Sequence, residues 1–72
     1  MPNLPMNELR TFATVAELGG FTQAGDLLGR SQPAISLQIK RLEEQLEELL
    51  FVRKGKQLEL TSAGRKLLKN AL

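Results

Sequence analysis

Cysteine, histidine, tryptophan and tyrosine are all absent from this 72-residue chain. Without cysteine there is neither a disulfide framework nor a thiolate metal site. Without histidine, the side chain that most often serves as general base near neutral pH and as metal ligand is also missing. The remaining residues supply no catalytic constellation. Catalytic residues, metal and cofactor are therefore each expected to be none in this segment, and the chain is expected not to be an enzyme. Long hydrophobic runs are absent too. No stretch approaches the roughly 18 apolar residues that span a bilayer, and Met1-Pro2-Asn3-Leu4-Pro5 lacks the basic-then-apolar order of a secretory signal. The expectation is a cytoplasmic protein with no membrane partner. Length allows one small domain with a thin core, because a chain of this size buries only about 60% of its unfolded surface.

Charge of one sign is scarce in sum but not in distribution. The formal net charge is +2, too little to announce a polyanionic partner by itself. Arg30, Lys40, Arg41, Arg53, Lys54 and Lys56 nevertheless fall in the middle and later chain, while Glu43, Glu44, Glu47 and Glu48 form a separate acidic block. Segregation of this kind presents a basic face whatever the total. Neighbours at i, i+4 spacing in the acidic block repel one another. With no histidine and no second acidic helix, the block is read as the solvated far end of a helix, not as a metal centre.

Hydrophobic spacing supplies the elements. Leu9, Phe12, Ala13 and Ala16 recur at i, i+3, i+4, i+7, the apolar stripe of an amphipathic helix, and Gly19-Gly20 closes it. Thr22 is read as the N-cap of a short second helix that turns Ala24, Leu27 and Leu28 inward and ends at Gly29. Ala24 and Gly25 are small enough for a neighbouring backbone to come close. Ser31 opens a third helix with Pro33 in its first turn, where the missing N–H is not needed. At about 100° per residue, Ile35, Ile39, Leu42 and Leu46 make its core face, and Leu37 lies about 160° away. Two short helices joined by a glycine-bearing turn, the second longer and polar on its outer face, fit a helix-turn-helix, with a generic helix hairpin as the alternative.

Beyond the acidic block the period changes. Leu50 to Arg53 and Leu58 to Leu60 read as two short strands around the basic, glycine-bearing turn Lys54-Gly55-Lys56-Gln57. Thr61 then caps a last helix with Gly64, Leu67, Leu68, Ala71 and Leu72 as its stripe. The chain stops inside that stripe, which reads as a fragment edge. The fold class is mainly α with a small β-hairpin.

The third helix carries the functional candidates. A helix that reads base edges in the major groove needs small or flat polar groups near its N-terminus. Ser31, Gln32, Ala34, Ser36 and Gln38 offer that surface: glutamine pairs bidentately with adenine, and alanine or a proline ring packs against a thymine methyl. Taken singly, Ser31 and Gln32 fit an ordinary surface helix equally well. Leu37 sits where a solvated helix usually carries charge, and beside Pro33, Ala34 and Ser36 it extends a low-charge docking surface. Arg53, Lys54 and Lys56 at the hairpin tip suit phosphate contact, against the alternative of a solubilising turn. Arg30 is a phosphate candidate from the turn, and Lys40 from farther along the helix. A second reading of the same surface is a protein–protein docking module centred on Pro33 and Leu37.

Together, Leu9…Phe12…Val15-Ala16, Phe21-Thr22-x-Ala24, Leu28, Ser31-Gln32-Pro33-Ala34-Ile35-Ser36, Ile39-x-x-Leu42-Glu43, Leu50-Phe51-x-Arg53 and Leu60-Thr61-x-Ala63-Gly64 resemble the N-terminal domain of LysR-type transcriptional regulators, over nearly everything from Met6 to Leu72. The resemblance implies a winged helix-turn-helix followed by a linker helix: residues 1–60 as the DNA-binding domain, and 61–72 as the start of a truncated dimerisation helix. It implies sequence-specific binding of double-stranded DNA at a partly palindromic site, as a homodimer paired through the C-terminal helix. A small-molecule effector would act only through a domain absent here. By position, Ser31, Gln32, Pro33, Ala34 and Ser36 become the reading residues, with Leu37 and Gln38 adjacent. Arg53 becomes the wing contact, and Leu67, Leu68, Ala71 and Leu72 belong to the dimer helix, with packing of Leu67 and Leu68 on their own domain as the alternative. Leu37 departs from a pattern that often has arginine. Gly20 and Gly25 replace the usual serine and alanine and are expected to loosen their helices, glycine costing about 1 kcal/mol in a helix interior. Glu47 stands where a turn glycine is common, so the third helix is expected to run longer or end differently.

Overall fold

A computed structural model describes residues 6–71. Residues 1–5, considered above for a leader, and Leu72 of the C-terminal stripe lie outside the described residues. The elements follow as α1 (Met6–Leu18), α2 (Phe21–Leu28), α3 (Gln32–Leu46), β1 (Phe51–Lys54), β2 (Gln57–Leu60) and α4 (Ser62–Ala71). This is the expected order of three helices, a hairpin and a final helix.

The core is one cluster: Leu9, Phe12 and Val15 of α1, Ala24 of α2, Ile35, Ile39 and Leu42 of α3, and Leu50 just before β1 are all buried. On α1 the buried line passes through Leu9, Phe12 and Val15, with Thr11 buried beside it, while Ala13 and Ala16 are only half-buried. The stripe is thus rotated from the one expected. Larger side chains took the core, because burying them removes more apolar surface from water. All three phenylalanines meet in one place. The Phe12 and Phe51 rings lie 5.4 Å apart, and Phe21 meets Phe51 edge-on at 6.0 Å, tying α1, α2 and the hairpin together.

The helix ends explain two departures. α2 begins at Phe21, and its N-cap is Gly20 in extended conformation, not Thr22. Packing of the Phe21 ring on Phe51 draws that residue into the helix and moves the start forward. Of the three apolar residues assigned inward on α2, Leu27 is 69% exposed, whereas Ala24 is buried and Leu28 packs against the core. An eight-residue helix has room for one narrow buried line, and Ala24 and Leu28, four apart, occupy it. α2 closes on Gly29 at φ 69. α3 does not run past Leu46. It ends as it would at a glycine, with Glu47 in the left-handed region at φ 57 and its N–H turned back to Glu43 O and Glu44 O. The following N–H, of Glu48, also returns to Glu43 O (3.1 Å), completing a Schellman-type cap.

Two glycines carry close approaches. A Cβ on Gly25 would stand 2.5 Å from the Arg30 carbonyl oxygen and touch Ile35. The expectation that Gly25 loosens α2 is therefore corrected: the missing side chain lets the turn before α3 close onto α2. A Cβ on Gly64 would overlap the Leu50 carbonyl oxygen. At Gly20 the same atom would meet only the flexible end of Gln23.

The strands pair antiparallel, Phe51 with Leu60 and Lys54 with Gln57, around a turn in which Gly55 takes φ 62. Hydrogen bonds fasten this wing to both flanking helices. The Leu50 N–H donates to Glu43 Oε2 on α3 (2.8 Å), Thr61 N–H to Leu50 O (3.0 Å), and the Thr61 hydroxyl to Leu49 O while accepting from Gly64 N (3.0 Å). Thr61 is thus the cap expected for α4. Glu43 leaves the acidic block to hold the approach to β1.

Candidate nucleic-acid interface

The turn Gly29–Ser31 delivers α3 with its first residues outward. Ser31, in extended conformation, accepts from the Ala34 N–H through Oγ (3.3 Å), and Pro33 follows in the first turn. Ser31, Gln32, Pro33, Leu37 and Lys40 are exposed, and Ala34 and Ser36 half-buried, so most of the expected reading face is open. Gln32 is already oriented: its Nε2 donates to Ser36 Oγ at 2.9 Å. That bond leaves Gln32 one N–H and its carbonyl oxygen, the donor and acceptor that a bidentate contact with adenine uses.

Gln38 falls outside this face. It is half-buried, and its Oε1 accepts from the hydroxyl of Thr11, a residue only 3% exposed on α1, at 2.7 Å. A buried hydroxyl needs a partner, and Gln38 supplies it across the α1–α3 packing, so it acts as a brace from α1 to α3. Arg30 is exposed in the turn, its backbone N–H bonded to Gly25 O (2.8 Å).

The three wing cations divide. Strand alternation puts Phe51, Arg53, Leu58 and Leu60 on the face toward the helices and Val52, Lys54 and Glu59 on the other. Arg53 accordingly reaches back, its guanidinium 6.0 Å from the Phe21 ring centre. Lys54 lies on the outer face, 3.7 Å from the Glu59 carboxylate. Arg53 and Lys56 line a cleft of about 200 Å³ together with Gln32 and the start of α2 at Thr22 and Gln23. Thr22 and Gln23 are not among the contact residues that the sequence offers; Thr22 reads there as the cap of α2, and the place of both beside Gln32 and the wing depends on the three-dimensional fold.

On the other flank, Lys40 and Ser36 border a wider groove of about 630 Å³ between α3 and the wing. Its far rim carries Glu44, Glu47 and Glu48, at the end of α3 away from Ser31 and Gln32. Among the described residues no group of three or more acidic side chains is placed to hold a metal ion. No helix among them is long and apolar enough to cross a membrane. Leu67 and Leu68, assigned to a dimer helix, are half-buried and pack against the domain's own core, and Ala71 is the last residue of α4.

Comparison with known proteins agrees with this geometry. Residues 6–65 match the family model described as bacterial regulatory helix-turn-helix protein, lysR family. An uncharacterized HTH-type transcriptional regulator of Azotobacter vinelandii is 46% identical over 68 residues, 94% of this chain and 47% of the relative. The RuBisCO operon transcriptional regulator of Allochromatium vinosum is 42% identical over 65 residues, 90% of this chain and 22% of its own length. The chain thus spans about half of one of these relatives and about a fifth of the other. Among solved structures, the CbnR_DBD–DNA complex superposes with a TM-score of 0.87 at 37% identity, covering 93% of this chain and 77% of that one. The BenM_DBD/catB site 1 DNA complex gives 0.88 at 36% identity, with coverage of 93% and 75%. With its helix-turn-helix, its wing and a matching family model over residues 6–65, this chain belongs to the LysR family of bacterial regulatory helix-turn-helix proteins.

Proposed function

We propose that this chain binds double-stranded DNA sequence-specifically as the DNA-contacting part of a bacterial transcription regulator. The N-terminal half of α3 enters the major groove, and the wing lies on the backbone or in the minor groove. The observation that carries this reading is the convergence of Gln32, free to pair with a base edge, with the cations Arg53 and Lys56 in one cleft. The related domains solved in complex with DNA at 36–37% identity support it.

The side chains divide the work. Ser31, Gln32, Pro33, Ala34, Ser36 and Leu37 face the bases, while Arg30, Lys40, Arg53 and Lys56 neutralise phosphates. Lys54, turned to Glu59, contributes less than its neighbours. The protein is a cytoplasmic regulator without enzymatic activity, and this segment uses no cofactor. Residues 1–60 read the DNA and α4 begins the helix through which two copies pair on a partly palindromic site. An effector acts through a further domain of the kind that the greater length of the relatives accommodates.

The test is selection from a pool of random duplexes at two salt concentrations, followed by sequencing of the retained fraction. A dyad-symmetric motif should emerge, with affinity falling by roughly 0.9 decades per decade of salt for each phosphate neutralised. On the selected duplex Gln32→Ala should cost roughly 1–3 kcal/mol. Lys56→Ala should weaken all sequences about equally and lower the salt slope by about 1. Absence of salt-sensitive binding to any duplex would overturn the reading.

A further inference from the structure

On the outer side of α3, one large apolar side chain stands in the open. Leu37 is 48% exposed and is not among the residues packed on the core. It follows Pro33 by four residues, so the two stack along one face as an apolar ridge, with exposed Lys40 and Arg41 a turn farther on. Ser36 beside the ridge already accepts from Gln32. A leucine pressed against the major-groove edge of adenine, guanine or cytosine would desolvate donors and acceptors without pairing with them. Only thymine presents a carbon substituent there, its C5 methyl.

We propose that Leu37, supported by Pro33, reads the C5 methyl of a thymine in the major groove and so sets part of this protein's sequence preference. The inference rests on the DNA-binding reading of the same helix face. Five residues separate Gln32 from Leu37, about 7.5 Å along the axis at ~1.5 Å per residue. The two side chains also lie about 140° apart around α3 at ~100° per residue, so the thymine is a different base from the one that Gln32 contacts. An exposed leucine at this position is then a recognition element.

The experiment uses the whole chain and its selected duplex, replacing each thymine in turn with deoxyuridine, which removes the methyl and leaves every hydrogen-bonding group in place. Binding is read by fluorescence anisotropy for the wild type and for Leu37→Ala. At one thymine per half-site the replacement should weaken the wild type about fourfold, the effect of losing one buried methyl-sized group. Leu37→Ala should bind the thymine duplex weaker by a similar factor and be indifferent to deoxyuridine at that position. Alanine sustains a helix at least as well as leucine, and circular dichroism confirms the fold. Normal wild-type binding with no response to any replacement would overturn the inference alone. So would an undiminished response in Leu37→Ala, which would assign the methyl to another residue. Failure of the wild type to bind any duplex would remove the DNA-binding reading and this inference with it.

Discussion

Thr61 ties α4 to the loop before β1 through one hydroxyl, and Thr61→Val isolates what that hydroxyl does. The replacement keeps the β-branched shape and deletes the oxygen that accepts from Gly64 N (3.0 Å) and donates to Leu49 O. Loss of an N-cap acceptor costs typically about 1 kcal/mol. The bond to Leu49 adds up to about 1 more, and less where water reaches the freed carbonyl, since Leu49 is exposed. The sum is about 1.5–2 kcal/mol. A domain of this size loses roughly 4–8 °C of melting temperature per kcal/mol, so Thr61→Val should melt about 10 °C below the wild type. Thr61→Ser is the control, because it keeps both hydrogen bonds and gives up one half-buried methyl. The assay is thermal unfolding followed by far-ultraviolet circular dichroism. If Thr61→Val melts within about 2 °C of Thr61→Ser, the hydroxyl does not fasten α4 to the wing and the reasoning fails.

Gly64→Ala should destabilise by about 2–3 kcal/mol in urea unfolding, because its new methyl overlaps the backbone carbonyl of Leu50, which has no rotamer to retreat into. Glu47→Gly should stabilise by about 0.5–1 kcal/mol by relieving a left-handed residue, net of the backbone entropy that glycine loses on folding, whereas Glu47→Ala should bring no such gain. A double-mutant cycle of Thr11→Val and Gln38→Leu should show coupling of about 1 kcal/mol, since either change alone strands the other partner of a hydrogen bond spanning α1 and α3; additive effects would refute the brace.

The parts of the fold legible in the sequence were those written in local chemistry. Ser31 and Thr61 announced helix starts, Gly29 a stop, and the change of period after Glu48 the hairpin. What escaped depends on contacts between residues far apart in the chain. Thr11 and Gln38 are 27 positions apart, and nothing local tells a polar side chain that completes a core from one that faces solvent. Leu27 and Leu28 are indistinguishable by spacing on so short a helix. Gly25 reads both as a site of close approach and as a weak helix residue, and the carbonyl of Arg30 against it decides for the first; the approach of the Leu50 carbonyl to Gly64 has no local signal. The candidate face on α3 was legible because outward residues are those left over from the core stripe. The separation of Lys54 from Arg53 and Lys56 needed the strand register.

These hidden contacts bear on function because they converge on α3. Near its middle, Gln38 is braced to α1 through Thr11. Toward its end, Glu43 holds the N–H of Leu50, and Leu50 in turn holds Thr61 and the start of α4. Between its first two turns, Gln32 is held by Ser36. Each bond removes freedom before any ligand arrives, and a side chain ordered in advance does not lose about 0.5–1.5 kcal/mol of rotamer entropy on binding. Ile35, Ile39 and Leu42 seat α3 in the core, and the polar braces fix its rotation and its ends, so on the proposed reading the residues that position its outer face contribute to recognition along with those that would touch the bases.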